Sequence, residues 1–115
     1  MARSYLPDRG DIVLMDFTPA SGHEQSGRRP AIVLSPQEYN RKVGLAVMCP
    51  ITSQKKGYAF EVELPAECGV KGVVLADQVR SLDWKSRRAT YVERGRGDVL
   101  EETVAKIAAL VGYES

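Results

Sequence analysis

Up to about residue 96 the chain is cut by glycine and proline into short β-rich runs, and clear helical periodicity appears only at its end. A chain divided this way can bury its apolar side chains only by assembling short strands into a sheet. Residues 11–17 form the first run, flanked by Gly10 and Pro19, and residues 30–34 the second, whose unbroken apolar character predicts burial on both faces. Residues 45–49, 60–64, 73–82 and 89–93 read as four more strands. Strict alternation in residues 60–64 sends one face to the core and the other to water. Ser35, Pro36 and Glu38 predict a short helix with Ser35 as N-cap and Glu38 closing a capping box, ending before Gly44. The final helix is marked by Asp98 and Glu101 at its start and by an apolar stripe, Leu100, Val104, Ile107 and Val111, read as core packing. The expected class is mainly β: a small antiparallel barrel or strongly twisted sheet with a closing C-terminal helix.

The 115 residues suit one domain, 1–115, and 43% hydrophobic with 27% charged residues is a globular balance. The net charge of +1 hides an asymmetry. Residues 98–115 hold four acids and one base, whereas residues 80–96 hold six bases against Asp83 and Glu93. Such a basic stretch suits nucleic acid and equally suits a solvated face. Cys49 and Cys68 are too few for a disulfide scaffold, and Cys49 reads as a small buried side chain. The first nine residues lack the apolar stretch of a secretory signal, and no apolar run is long enough to span a bilayer. A reduced, cytoplasmic protein without membrane contact is the expectation.

One histidine, His23, and no clustered cysteines argue against a zinc site, and phosphate loops, GxGxxG and GxSxG are absent. The chemically dense segment is Gly22-His23-Glu24-Gln25-Ser26-Gly27-Arg28-Arg29-Pro30, between two strands. It gathers an imidazole, a carboxylate, an amide and two guanidiniums. Arginine can stabilise the charge of a pentacoordinate phosphate, while His or Glu moves protons. RNA brings its own nucleophile, the 2′-hydroxyl, so such a site needs no cofactor or metal. A solvated polar loop is the alternative for the same residues.

That segment, following Asp16-Phe17-Thr18-Pro19, resembles the signature of the MazF/Kid (PemK) toxins. So do Cys49-Pro50-Ile51-Thr52-Ser53-Gln54, Lys56-Gly57-Tyr58-Ala59-Phe60-Glu61-Val62 and Ala76-Asp77-Gln78-Val79-Arg80-Ser81, in the family's order. The resemblance runs from about Pro7 to the final helix. It implies an SH3-like barrel working as a homodimer: a sequence-specific, metal-independent endoribonuclease toxin of a toxin–antitoxin pair. Such a toxin cuts single-stranded RNA, chiefly mRNA, leaves 2′,3′-cyclic phosphate and 5′-hydroxyl ends, and is neutralised by a MazE-like antitoxin. A barrel of the same fold that poisons gyrase without cutting RNA is the alternative.

By the same resemblance Arg29 and Thr52 fall on catalytic positions, as phosphate stabiliser and phosphate-orienting hydroxyl. Arginine stays charged, so the proton acceptor is sought in Glu24, His23 or Asp77. Glu24 matches one branch of the family and His23 with Asp77 another, although Leu75 stands where that second branch has arginine. Candidate RNA contacts are Gln25, Arg28, Ser53, Gln54, Lys55, Lys56, Tyr58, Gln78, Arg80 and Arg87. Tyr58 and Trp84 are each either a base-stacking ring or packing, and Asp77 is alternatively a structural carboxylate within a strand.

Overall fold

Period-two alternation divides the core between the two faces of one sheet. The computed structural model describes residues 5–17 and 27–112. Among these the strands are β1 (Asp11–Asp16), β2 (Arg28–Val33), β3 (Ala46–Thr52), β4 (Glu61–Glu63), β5 (Val73–Leu75), β6 (Arg80–Leu82) and β7 (Thr90–Arg94). The helices are α1 (Gln37–Val43) and α2 (Gly97–Leu110), and a 3-10 turn occupies Ala76–Gln78. The strands run β4-β5-β3-β2-β1-β7, every pairing antiparallel, with β6 attached to β3 off that path. β3 is long enough to serve two partners on one side: Ala46, Val47 and Met48 pair with β6, and Ile51 and Thr52 with β5.

Ile12, Ile32, Cys49 and Ile51 join Val62, Val74 and Val99 in one cluster, beneath α2. Residues of opposite parity on the same strands, Val13, Met15, Ala31, Val33, Ala46 and Met48, form the other with Phe17 and Leu82. The continuous apolar run in β2 is therefore buried on both faces, as its composition predicted. Burial also pushes the Cys49 thiol up to about 12, the charge of Asp77 adding to the effect, so it stays a neutral core side chain.

Several expectations change. The run read as one strand over residues 73–82 is β5, the 3-10 turn and β6; Asp77 sits in the turn, not inside a strand. β3 extends to Thr52, beyond residues 45–49, so Thr52 ends a strand rather than opening a polar turn. The α1 helix forms and stops at Gly44, which is left-handed at φ 79°, but Pro36 takes the N-cap position and the capping box is absent. Ser35 is drawn inward instead: its hydroxyl bonds Asn40 Oδ1 and accepts the Val47 N–H at 2.9 Å. Fully buried Asn40 also donates to the carbonyls of Pro7 and Ser35 at 2.9 and 3.1 Å. Leaving those partners unmet costs about 1–3 kcal/mol, comparable with a helix cap, so tertiary hydrogen bonding claims the serine. The α2 stripe is rotated as well. Val99, Leu100, Thr103 and Ile107 face inward, whereas Val104 and Val111 are 38% and 72% exposed.

Candidate active site

β2 begins with two arginines and lies beside the strand that ends in threonine. The β2–β3 register pairs Ile32 with Cys49 and Ala31 with Pro50. The recorded pairing ends at Ala31–Pro50, and Arg29 and Thr52 lie two residues beyond it on their strands, with Thr52 but not Arg29 lining a cavity at the end of β3. Strand alternation puts both on the face of Ala31 and Met48. On its other side Arg29 pairs with Met15 of β1. Thr52 is 7% exposed, pairs with Val73, and its Oγ1 accepts the Gln54 N–H at 3.2 Å. That close pairing depends on Gly72 (φ +122°), where an added Cβ would stand 2.0 Å from the Thr52 carbonyl oxygen.

Thr52 forms part of a cavity of about 300 Å³ whose other walls are Gln54, Lys56, Tyr58, Glu61, Leu75, Asp77 and Gln78. The Tyr58 hydroxyl donates to Asp77 Oδ2, and that bond raises the phenol pKa above its ordinary value. The Tyr58 ring stays half exposed and tilts 60° against Phe60 with centroids 5.9 Å apart. Glu61 anchors this wall. Its carboxylate accepts the backbone N–H groups of Lys56, Gly57 and Tyr58 at 3.0, 3.1 and 3.3 Å. Lys106 of α2 closes the loop's far end, donating to the Ala59 carbonyl at 2.6 Å.

Of the sequence candidates, this cavity gathers Thr52, Gln54, Lys56, Tyr58, Asp77 and Gln78. Ser53 is exposed directly beside it, and exposed Lys55 is ion-paired with Glu63 at 2.8 Å. His23, Glu24 and Gln25 lie outside the described residues. Arg28 and Arg87 are drawn elsewhere: Arg28 pairs with Asp16 at 3.1 Å, and Arg87 donates to the Asp16 carbonyl at 3.2 Å. Arg80 pairs with Met48 in the β3–β6 ladder and is not in the cavity wall. Trp84 is packing: partly buried against the second core cluster, it donates from Nε1 to the Asn40 carbonyl at 3.1 Å. Sequence reasoning missed Glu61, read only as the wet face of an alternating strand. An acid shortly after a Lys-Gly turn was the available signal, since such turns present adjacent N–H groups to an anion.

The cavity can hold an anionic ligand against a hydroxyl and a lysine, and it offers two carboxamides to polar edges. Comparison with known proteins gives the family. Residues 8–111 match the family described as PemK-like, MazF-like toxin of type II toxin-antitoxin system. The Escherichia coli K12 protein named endoribonuclease toxin MazF is 46% identical over 112 residues, covering 97% of this chain and all of that protein. The crystal structure of MazF from Deinococcus radiodurans superposes with a TM-score of 0.92 at 57% identity, covering 95% of this chain and 99% of that one. A MazE-MazF crystal structure from the same organism gives 0.87 at 56% identity, covering 96% of this chain and all of that one. A family match across nearly the whole sequence, with the same strands in the same places, makes this chain a member of the PemK-like, MazF-like toxins of type II toxin–antitoxin systems.

Proposed function

We propose that this endoribonuclease toxin cuts single-stranded RNA, chiefly mRNA, at short sequences by making the RNA attack itself, and so stops translation and growth. The 2′-hydroxyl oxygen attacks the adjacent phosphorus, the P–O5′ bond breaks, and the products carry a 2′,3′-cyclic phosphate and a 5′-hydroxyl. One proton leaves the 2′-hydroxyl and one reaches the departing 5′-oxygen. Arg29 stabilises the pentacoordinate phosphate and Thr52 orients one of its oxygens. The proton acceptor is drawn from Glu24, His23 and Asp77. Gln54, Lys56, Tyr58 and Gln78 hold the flanking nucleotides, and no metal ion takes part.

The observation that supports this reading is the cavity that gathers Thr52 and Asp77 with Gln54, Lys56, Tyr58 and Gln78. The endoribonuclease relatives favour cutting over poisoning a protein target such as gyrase. The toxin works as a homodimer in the cytoplasm, and a MazE-like antitoxin covers its RNA groove, in keeping with the MazE-MazF complexes of its structural neighbours.

The test is incubation with a single-stranded RNA of mixed sequence in EDTA, with the cut ends mapped. Cleavage should persist, end in cyclic phosphate, and vanish on an all-deoxy strand. Loss of cleavage in EDTA would remove the metal-free scheme, and cutting of the deoxy strand would remove the 2′-hydroxyl as nucleophile.

A further inference from the structure

The loop between β3 and β4 is held by a residue to which neither the family motif nor the proposed chemistry gives a role. Three successive N–H groups, those of Lys56, Gly57 and Tyr58, converge on the Glu61 carboxylate at 3.0–3.3 Å. Gly57 is left-handed at φ 77°, as expected where adjacent N–H groups turn toward one anion. The same strand fixes the opposite side of the cavity. Glu61 stands directly across from Leu75, and the Phe60 carbonyl accepts the Ala76 N–H at 3.0 Å, immediately before Asp77. Both ends of the Tyr58–Asp77 bond are therefore tied to the β4–β5 pair, one through the Glu61 carboxylate and one through the ladder.

We propose that Glu61 is a positioning residue for RNA cleavage, its carboxylate shaping the 56–58 turn so that Tyr58 reaches Asp77 and Lys56 lines the cleft. The inference rests on the RNA-cleaving reading of the same cavity. It opposes simple electrostatics in sign. Glu61 is an acid beside a groove for a polyanion, so long-range repulsion alone predicts that neutralising it tightens RNA binding. Positioning predicts that neutralising it weakens binding. A carboxamide also turns its NH₂ group toward backbone donors, leaving one acceptor oxygen where the turn needs two.

The experiment measures steady-state cleavage of a short single-stranded RNA by wild type, Glu61→Gln, Glu63→Gln and Gly57→Ala, with the phenol titration of each followed by ultraviolet absorbance and Tyr58→Phe used to assign Tyr58. Glu61→Gln should raise KM roughly tenfold, the scale of one charge-assisted hydrogen bond, with a smaller change in kcat. Its Tyr58 titration should fall back toward the ordinary tyrosine range. Gly57→Ala, which strains the same turn with Glu61 intact, should move KM in the same direction. Glu63→Gln removes an equal charge from the same strand without taking a bond from the 56–58 N–H groups; it releases Lys55 from its ion pair, so it should lower KM, opposite in sign to Glu61→Gln. A Glu61→Gln enzyme that melts as wild type does and binds RNA equally well or better, with Tyr58 titrating as before, overturns the proposal. Failure of the RNA-cleaving reading would show separately, as a wild type that leaves RNA intact.

Discussion

Two charged regions of this molecule put their side chains to opposite uses. Beside the 83–89 turn, Asp16 draws in Arg28 at 3.1 Å, Arg88 at 3.0 Å and, through its carbonyl, Arg87 at 3.2 Å. Further along the same basic stretch Arg94 pairs with Asp11 and Asp8, and Arg96 with Glu67 and Asp98. The cavity at the end of β3 has fewer cations, yet Lys56 and the two carboxamides stand at its wall with room for a ligand beside them. Local density of positive charge thus does not coincide with the cavity. The guanidiniums beside Asp16 are held by a carboxylate or a carbonyl, whereas Lys56 shares an open cleft with Glu61, Asp77 and the two carboxamides.

The contrast is broken most sharply at Arg29. Arg29→Ala should lower single-turnover RNA cleavage by roughly 10²–10³-fold, the scale of one deleted donor to a transition-state oxyanion, measured at a temperature where the variant is fully folded. Turnover at the wild-type rate would move the reactive centre away from the β2–β3 edge. In the other region stability should respond rather than turnover. Hydrogen bonds from Arg88 and then Arg28 hold the Asp16 carboxyl below its ordinary value. A depressed carboxyl pKa contributes stability in full above the unfolded value, about 4, and loses it as pH falls through the lowered folded value. Asp16→Asn should therefore melt at lower temperature at neutral pH, and the gap from wild type should narrow as the solution is acidified below about pH 4. The smallest effect concerns salt. Lys56→Ala should reduce the slope of log affinity for single-stranded RNA against log salt by about 0.7, one released counterion, whereas Arg88→Ala should leave it unchanged. An equal fall in both slopes would erase the distinction between the regions.

Much of the β-architecture was readable because alternation and turn chemistry act over a few residues. β1, β2 and β4 lie close to where their apolar pattern puts them, and the α1 stop at Gly44 follows from one left-handed glycine. The breaks were less readable. Residues 73–82 carry β-like composition throughout, but the chain must leave β5 and rejoin β3 further along as β6, and the 3-10 turn bearing Asp77 is that crossing. The Arg28–Asp16 ion pair was not readable either, because the partners are twelve residues apart and meet only through the β1–β2 hairpin.

By itself the sequence determined the mainly β class, the helix at the end, the order of the family's motifs, and Thr52 and Asp77 as residues to watch. Those signals are local: side-chain period, turn residues, and short strings of chemistry. Only the tertiary structure decided which cations pair with Asp16 and which line the cavity, that Ser35 serves the core rather than a helix cap, and that Glu61 accepts the N–H groups of the 56–58 turn. Each of those outcomes depends on competition between partners that folding brings together, and a linear sequence does not record who wins such a competition.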